Sequence, residues 1–262
     1  MNRRYFYFII LVLLSVQFVF ARDFRQTVKK NLTSEGIREI NVFTTNGSII
    51  LTGWDKDTIA ITAHKKVDAS PTEANKILNN IDLITTREGS TLIIKAESHE
   101  KSSKNLLDWL LGLGIRNFQV DFEIFVPHNL NIVLNTTNGQ LEVEDIDGKL
   151  DLSTTNGDVN VLRASNVSEI HSTNGSVYAH YRTVPARGHI KISTTNGKIK
   201  CVLPRQAKCS ITAYTNNGQI INELPTAKTR TTGKRSLEAD CNGGGVEIDV
   251  RTTNGEISLV GK

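Results

Sequence analysis

The phrase Thr-Thr-Asn-Gly constrains this chain more than any other feature, because it recurs with the same apolar spacing on both sides. It reads identically at Thr44–Gly47, Thr136–Gly139, Thr154–Gly157, Thr194–Gly197 and Thr252–Gly255, with near copies at Ser172–Gly175 and Thr215–Gly218. Counting back six and four from each Asn gives Ile40 and Val42, Ile132 and Leu134, and Leu150 and Leu152. The later copies give Ser168 and Ile170, Ile190 and Ile192, Ile211 and Ala213, and Ile248 and Val250. Counting on three and five gives the same kind of pair, from Ile49 and Leu51 to Ile257 and Leu259. Alternation with period two is the signature of a strand with one face turned inward. Each Asn-Gly is therefore a corner between two short strands, and the chain is a repeat protein.

Asn-Gly is also the strongest hairpin signal, so a row of hairpins competes with a stack of coils. Parity separates them. Strict alternation from Leu141 and Val143 would turn Asp145 inward, and a buried carboxylate without a partner is costly. The apolar residue is Ile146 instead, and the next copy repeats the skip from Val161 to Ala164. A skip of three suits a chain turning a corner around a closed core. Gly139, Gly148, Gly157 and Gly175 keep a nine-residue beat, whereas Gly175 to Gly197 is 22 residues and Gly197 to Gly218 is 21. The expected fold is all-β: a single-stranded right-handed β-solenoid, with handedness taken from the crossover rule. Stacking superimposes Asn138, Asn156 and Asn174, whose amides can bond along the ladder. The structural residues are the corner pairs Asn46 and Gly47, Asn138 and Gly139, Asn156 and Gly157, and Asn174 and Gly175. To these add Asn196 and Gly197, Asn217 and Gly218, and Asn254 and Gly255. A positive φ is the expected reason for each glycine.

Residues 1–21 read as an export signal: Arg3 and Arg4, an apolar run from Tyr5 to Phe20, and cleavage after Ala21. An uncleaved anchor helix is the alternative. No later run is long and apolar enough to span a membrane. The expected location is the periplasm, the cell surface or the medium. Lys and Arg number 31 against 27 Asp and Glu, and the signal takes two of the basic residues, which leaves a net charge of +2. That balance argues against nucleic acid or anionic lipid as the main partner. Cys201, Cys209 and Cys241 make an odd count. They read as buried thiols, or as one disulfide between Cys201 and Cys209 with a third thiol left over.

Residues 22–127 form an N-terminal strand and helix cap continuous with the repeats, and 128–262 hold the solenoid repeats. Residues 23–39 read as a polar lead-in. Ser70, Pro71 and Glu73 mark a helix start, and Ala74, Ile77, Leu78 and Ile81 give its stripe. Two strands, 81–86 and 91–96, and a third, 120–127, complete the cap. The apolar run 106–114 is either a short helix over an open edge or an exposed patch for a partner. The basic stretch 225–236 reads as a loop inserted between coils.

In Thr44–Asp55, the strand Val120–Pro127, the repeated corners and the closing Gly244–Ile248, the chain resembles a bacterial family known as putative adhesins. The resemblance covers roughly residues 36–260. With the related head-domain adhesin-like proteins, it implies a right-handed β-helix and no shared catalytic residues.

The residues themselves offer little chemistry. His171, His180 and His189 lie nine apart, but the longer unit after Asn174 sets His171 on Ser193, so no metal site is expected. Glu142 and Asp158 are candidate neighbours for a glycan-cleaving pair, with Glu144 above Asn160. Asp145, Asp147 and Asp151 are a weak calcium candidate. No catalytic residue, cofactor or metal ligand is assigned. The expected role is a non-catalytic cell-envelope binding module, with an envelope protein, a glycan or a second copy as partner. The alternative is an envelope scaffold or signalling accessory contacting a membrane-associated partner through 106–114.

Overall fold

The structure is a computed structural model, and it describes residues 22–98 and 118–262. The expected signal with Ala21 and the apolar run 106–114 lie outside the described residues. The N-terminal elements are β1 (Arg22–Thr33), β2 (Glu39–Asn46), β3 (Ile49–Trp54), β4 (Thr58–Ala69), α1 (Pro71–Asn79), β5 (Ile81–Glu88), β6 (Thr91–Ser98) and β7 (Phe118–Pro127). Next come β8 (Asn131–Asn138), β9 (Leu141–Glu144), β10 (Lys149–Asn156), β11 (Val159–Ala164), β12 (Asn166–Asn174), β13 (Val177–Tyr181), β14 (His189–Asn196) and β15 (Ile199–Leu203). The C-terminal part has β16 (Cys209–Asn217), β17 (Ile220–Glu223), β18 (Ala227–Thr232), β19 (Ser236–Cys241), β20 (Val246–Asn254) and β21 (Ile257–Gly261).

The strands on the two sides of a corner do not pair with each other. Each pairs parallel with its counterpart one rung away: Leu150 with Ile132 and Asn156 with Asn138 on one side, Val159 with Leu141 on the other. Parallel pairing rules out the row of hairpins. Every rung thus gives one strand to each of two open sheets. One has ten strands in the order β1-β4-β7-β3-β9-β11-β13-β15-β21-β17. The other has eleven, in the order β18-β19-β16-β20-β14-β12-β10-β8-β2-β6-β5.

The core lies between the sheets and is made of the alternating rows read from the sequence. Ile132, Leu134, Leu141, Val143, Leu150, Leu152, Val159 and Val161 are all fully buried. A correction comes at Ser168. The register slips between Leu150 and Asp151, so that Val167, and not Ser168, takes the inward place before Ile170. The skip of three has a definite backbone cause. Asp145 and Arg163 adopt left-handed φ values of 57° and 53°, which turn the chain so that Ile146 and Ala164 enter the core. Asp145 is left facing outward.

The cap differs from the reading in one large respect. The supposed lead-in is β1, a strand of 12 residues paired antiparallel with β4 along its whole length. Its apolar residues Phe24, Val28 and Leu32 fall every fourth position, a spacing that keeps one face in a strand and in a helix alike and so marks neither. Charged residues suit its place at a sheet edge, where they discourage pairing with another chain. Helix α1 starts as expected, with Ser70 at the N-cap and Pro71 in the first turn. The Ser70 hydroxyl donates to the Glu73 carboxylate at 2.6 Å and accepts no backbone bond. Ala74 and Leu78 bury the stripe against β1 and β4.

The order of the rungs in the stack departs from their order along the chain. The C-terminal rung, β20 and β21, does not lie at the end of the stack. It sits between the β14–β15 rung and the β16–β17 rung, pairing parallel with both. The stretch 225–236 is no loop either: it contains all of β18 and the start of β19, and β19 pairs antiparallel with β16. This hairpin covers the edge that β16 would otherwise expose.

Candidate functional site

The longest regular feature of the surface is the ridge of corners. At six of the seven the peptide N–H of the glycine donates to the carbonyl of the asparagine in the adjoining rung, as Gly139 does to Asn156 at 3.0 Å and Gly157 to Asn174 at 3.0 Å. The inner threonine of the phrase is buried, and a buried hydroxyl needs a partner. It donates to the carbonyl of a glycine one rung away: Thr154 to Gly139 at 3.0 Å, Thr194 to Gly175 at 2.8 Å, Thr252 to Gly197 at 3.0 Å. Ser172 keeps the same bond, to Gly157 at 2.9 Å, which explains why the near copy preserves a hydroxyl there.

The side-chain amides of seven asparagines form one unbroken ladder in the order Asn46, Asn138, Asn156, Asn174, Asn196, Asn254, Asn217. From Asn138 onward each Nδ2 donates to the Oδ1 of the preceding asparagine at 2.7–2.8 Å. Parallel, in-register stacking of identical amides is what such a ladder requires. The place of Asn254 within it records the inserted rung.

The glycines are needed for a reason other than the one read from the sequence. Among the corner glycines only Gly47 has a positive φ, 148°. At Gly157 a Cβ would stand 2.0 Å from the carbonyl oxygen of Gly139, and at Gly175 it would stand 1.9 Å from that of Gly157. Glycine is thus required because backbones of adjoining rungs meet there.

The outward acids do not make a catalytic pair. Glu142 lies opposite Asn160 and Ile50, and Glu144 lies opposite Leu162, not Asn160. Asp158 sits nearer the corner, where its Oδ1 accepts from the Ser176 N–H at 2.7 Å. The histidines do not converge: His171 stands opposite Ser193, His180 opposite Val202 and His189 opposite Glu247. Among the described residues no group of three or more His, Cys, Asp or Glu is placed to hold a metal ion.

The calcium candidates are committed elsewhere. Arg163, one rung from Asp145, donates from Nε at 2.9 Å and from Nη2 at 2.7 Å to its two carboxylate oxygens, and also pairs with Glu144. Asp147 accepts from the Ser165 hydroxyl at 2.6 Å and pairs with Arg182. The Arg163 hydrogen bonds hold Asp145 below the usual carboxylate range, and the Ser165 bond, with Arg182, does the same for Asp147. Asp151 stands apart in the other sheet opposite Glu169, where burial and that neighbour raise it. The arginines escaped the sequence reading, although the 18-residue separation of Arg163 from Asp145 marks them as stacked.

A carboxylate whose folded pKa is depressed stabilises the fold above its unfolded pKa, and loses that contribution as pH falls through the folded value. Arg163→Ala is therefore expected to lower the melting temperature slightly at neutral pH. The difference should disappear once Asp145 is protonated in both folded and unfolded chains. Melting curves of the two proteins across the acid range check this. The effect is small because the pair is partly exposed.

All three cysteines are buried, in line with the reading as buried thiols, and the one opposite Cys209 is Cys241, across the β16–β19 pair, not Cys201.

Comparison with known proteins follows the architecture. Among solved structures, a putative cell adhesion protein from Clostridium sporogenes superposes with a TM-score of 0.49 at 11% identity, covering 91% of this chain and 100% of that one. A putative adhesin from Bacteroides fragilis gives 0.35 at 11% identity, over 90% and 97% of the two chains. A putative lipid binding protein from Parabacteroides distasonis gives 0.30 at 13% identity, over 90% and 96%. No curated protein shows significant similarity to the sequence. The Toastrack DUF4097 family model matches residues 24–260, nearly all of the described chain, and the protein belongs to that family.

Proposed function

We propose that this protein is an exported, non-catalytic binding module of the cell envelope, wound as a right-handed solenoid. Its contact surface is the corner ridge. The observation that carries the reading is the asparagine ladder, seven amides long and without a break. Each amide that bonds to its neighbours keeps hydrogen-bonding capacity toward solvent. An extended partner laid along the ridge meets the same donors and acceptors about every 4.8 Å. The outer threonines Thr137 and Thr155 are exposed beside the ladder and widen the polar track. A glycan or an extended segment of an envelope protein fits this pattern, and a second copy could align its own ridge.

Support also comes from what the outward side chains do. Glu144, Asp145 and Asp147 are engaged in ion pairs with Arg163 and Arg182. Co-sedimentation of the full chain with isolated bacterial envelopes tests the proposal, using a variant in which Thr137 and Thr155 are both changed to Lys. Two long charged side chains on the ridge should reduce retention about tenfold or more, a loss of roughly 1.4 kcal/mol, while circular dichroism stays unaltered. Equal retention of both proteins would remove the ridge as the contact.

A further inference from the structure

The outer end of the eleven-stranded sheet brings two of the three cysteines together. Strands β16 and β19 pair antiparallel, and their register sets Cys209 directly opposite Cys241. Directly opposed residues of an antiparallel pair point to the same face, with Cα atoms about 4.5–5.5 Å apart. That lies within the roughly 4.4–6.8 Å that a disulfide spans. Both side chains enter the core, at 0% and 3% exposure.

The flanking residues hold this arrangement independently of the sulfurs. Ser210 donates to Asp240 at 2.7 Å, next to the pair on both strands. Just beyond Cys241, the Asn242 amide donates to the carbonyls of Arg205 at 2.9 Å and Ala207 at 2.8 Å, closing the strand end onto the turn that precedes Cys209.

We propose that Cys209 and Cys241 form an intramolecular disulfide that fastens the β18–β19 hairpin to the end of the stack. Cys201 is excluded as the partner. It lies in β15 of the opposite sheet, and the inserted strand β21 separates β15 from the β16–β17 rung. Two rungs amount to about 9.6 Å along the stack, beyond the roughly 7 Å that can be bridged. The two thiols are also unequal: the Cys209 S–H bonds to Cys241, which lowers the Cys241 thiol and raises that of Cys209.

The step balances with a small disulfide oxidant such as oxidised glutathione. One of the two cysteine thiolates attacks an oxidant sulfur, breaking the S–S bond and releasing one thiolate. The other cysteine gives up its proton and attacks the protein sulfur of that mixed disulfide, displacing the second. Two protein thiols are oxidised to one disulfide, the oxidant is reduced to two thiols, and the two protons end on the released thiolates. Because both sulfurs are covered in the folded chain, the exchange belongs to folding, before the hairpin closes.

The test is to refold the full chain with oxidised glutathione and trap thiols with an alkylating reagent in denaturant. Intact mass and non-reducing peptide mapping then read the product. A second preparation, made in an oxidising compartment and mapped directly, replaces refolding if that fails. One alkylated cysteine, Cys201, and a joined pair of Cys209 and Cys241 peptides are expected. Cys201→Ser should keep the link and Cys209→Ser should abolish it. Reductant should lower the melting temperature by about 10 °C in the natural chain, and leave Cys209→Ser unchanged. Three alkylated cysteines in the folded protein, or a bridge that includes Cys201, would overturn the assignment.

Discussion

A chain ending at Gly245 is expected to lose the ordered C-terminal end of the stack, and not just a terminal rung. In the folded protein, β20 and β21 lie between the β14–β15 and β16–β17 rungs, so their removal takes away the surface on which residues 204–241 are built. Val246, Ile248, Val250, Ile257 and Leu259 are all at most 1% exposed. Burying an aliphatic side chain is worth about 1.5–3 kcal/mol, so five of them represent on the order of 10 kcal/mol, comparable with the whole stability of a typical domain. Hydrogen exchange and limited proteolysis should find residues 204–241 unprotected in the truncated protein, with the rungs from β8 to β13 still protected. Continued protection of 204–241 would mean that the C-terminal rung is an end piece.

Gly157→Ala is expected to destabilise the chain by about 3 kcal/mol or more, and to lower the melting temperature by roughly 6–12 °C. A methyl group at this corner meets the Gly139 carbonyl oxygen at 2.0 Å, so the two rungs must move apart. That movement stretches the hydrogen bonds of Thr154 and of the Asn138–Asn156 step together. A glycine kept only for a left-handed φ gives a different pattern: there Gly157 would tolerate alanine. Gly47 is sensitive on either account, because a Cβ there would also stand 2.0 Å from the Val120 carbonyl oxygen. The thermal melt of Gly157→Ala therefore separates these causes, and an unshifted Gly157→Ala would count against close backbone contact between rungs.

Much of the architecture was legible because each rung repeats a period of two with one apolar face. The inner rows from Ile40 to Leu259, the skip to Ile146 and the stacking of His171 on Ser193 all followed from counting relative to each Asn. The same count separates Glu142 from Asp158. Glu142 lies four residues after Asn138 and Asp158 two after Asn156, so equal stacking cannot make them neighbours. The order of the rungs was not legible, for a physical reason. Every rung offers the same Thr, Asn and Gly at the corner, so Thr252 fits between Thr194 and Thr215 as well as at an end.

Strand β1 was hidden because its apolar residues fall only every fourth position, a spacing that suits a strand and a helix alike, and polar or charged residues occupy the rest. The β18–β19 hairpin was hidden because β18 is exposed and polar for nearly its whole length. Missing that hairpin also hid the opposition of Cys209 and Cys241. At the corners the sequence called for a residue without a side chain, but it could not distinguish an unusual φ from a neighbouring backbone. Arg163 was visible in principle, since it lies seven residues after Asn156 as Asp145 lies seven after Asn138; Arg182 was not, since it lies eight after Asn174 whereas Asp147 lies nine after Asn138.

Engineered cysteine pairs test the central claim, that like residues stack in register and that the C-terminal rung is interior. Ser193 is the register partner of Arg251, and Arg251 is that of Tyr214, all on the outer face of one sheet. Neighbouring rungs stand about 4.8 Å apart and second neighbours about 9.6 Å, against an upper limit of roughly 7 Å for a disulfide. In the folded chain, Ser193→Cys with Arg251→Cys, and Arg251→Cys with Tyr214→Cys, should each cross-link under mild oxidation, while Ser193→Cys with Tyr214→Cys should not. Cross-linking of 193 to 214, with none from 251 to 193, would contradict the stack described.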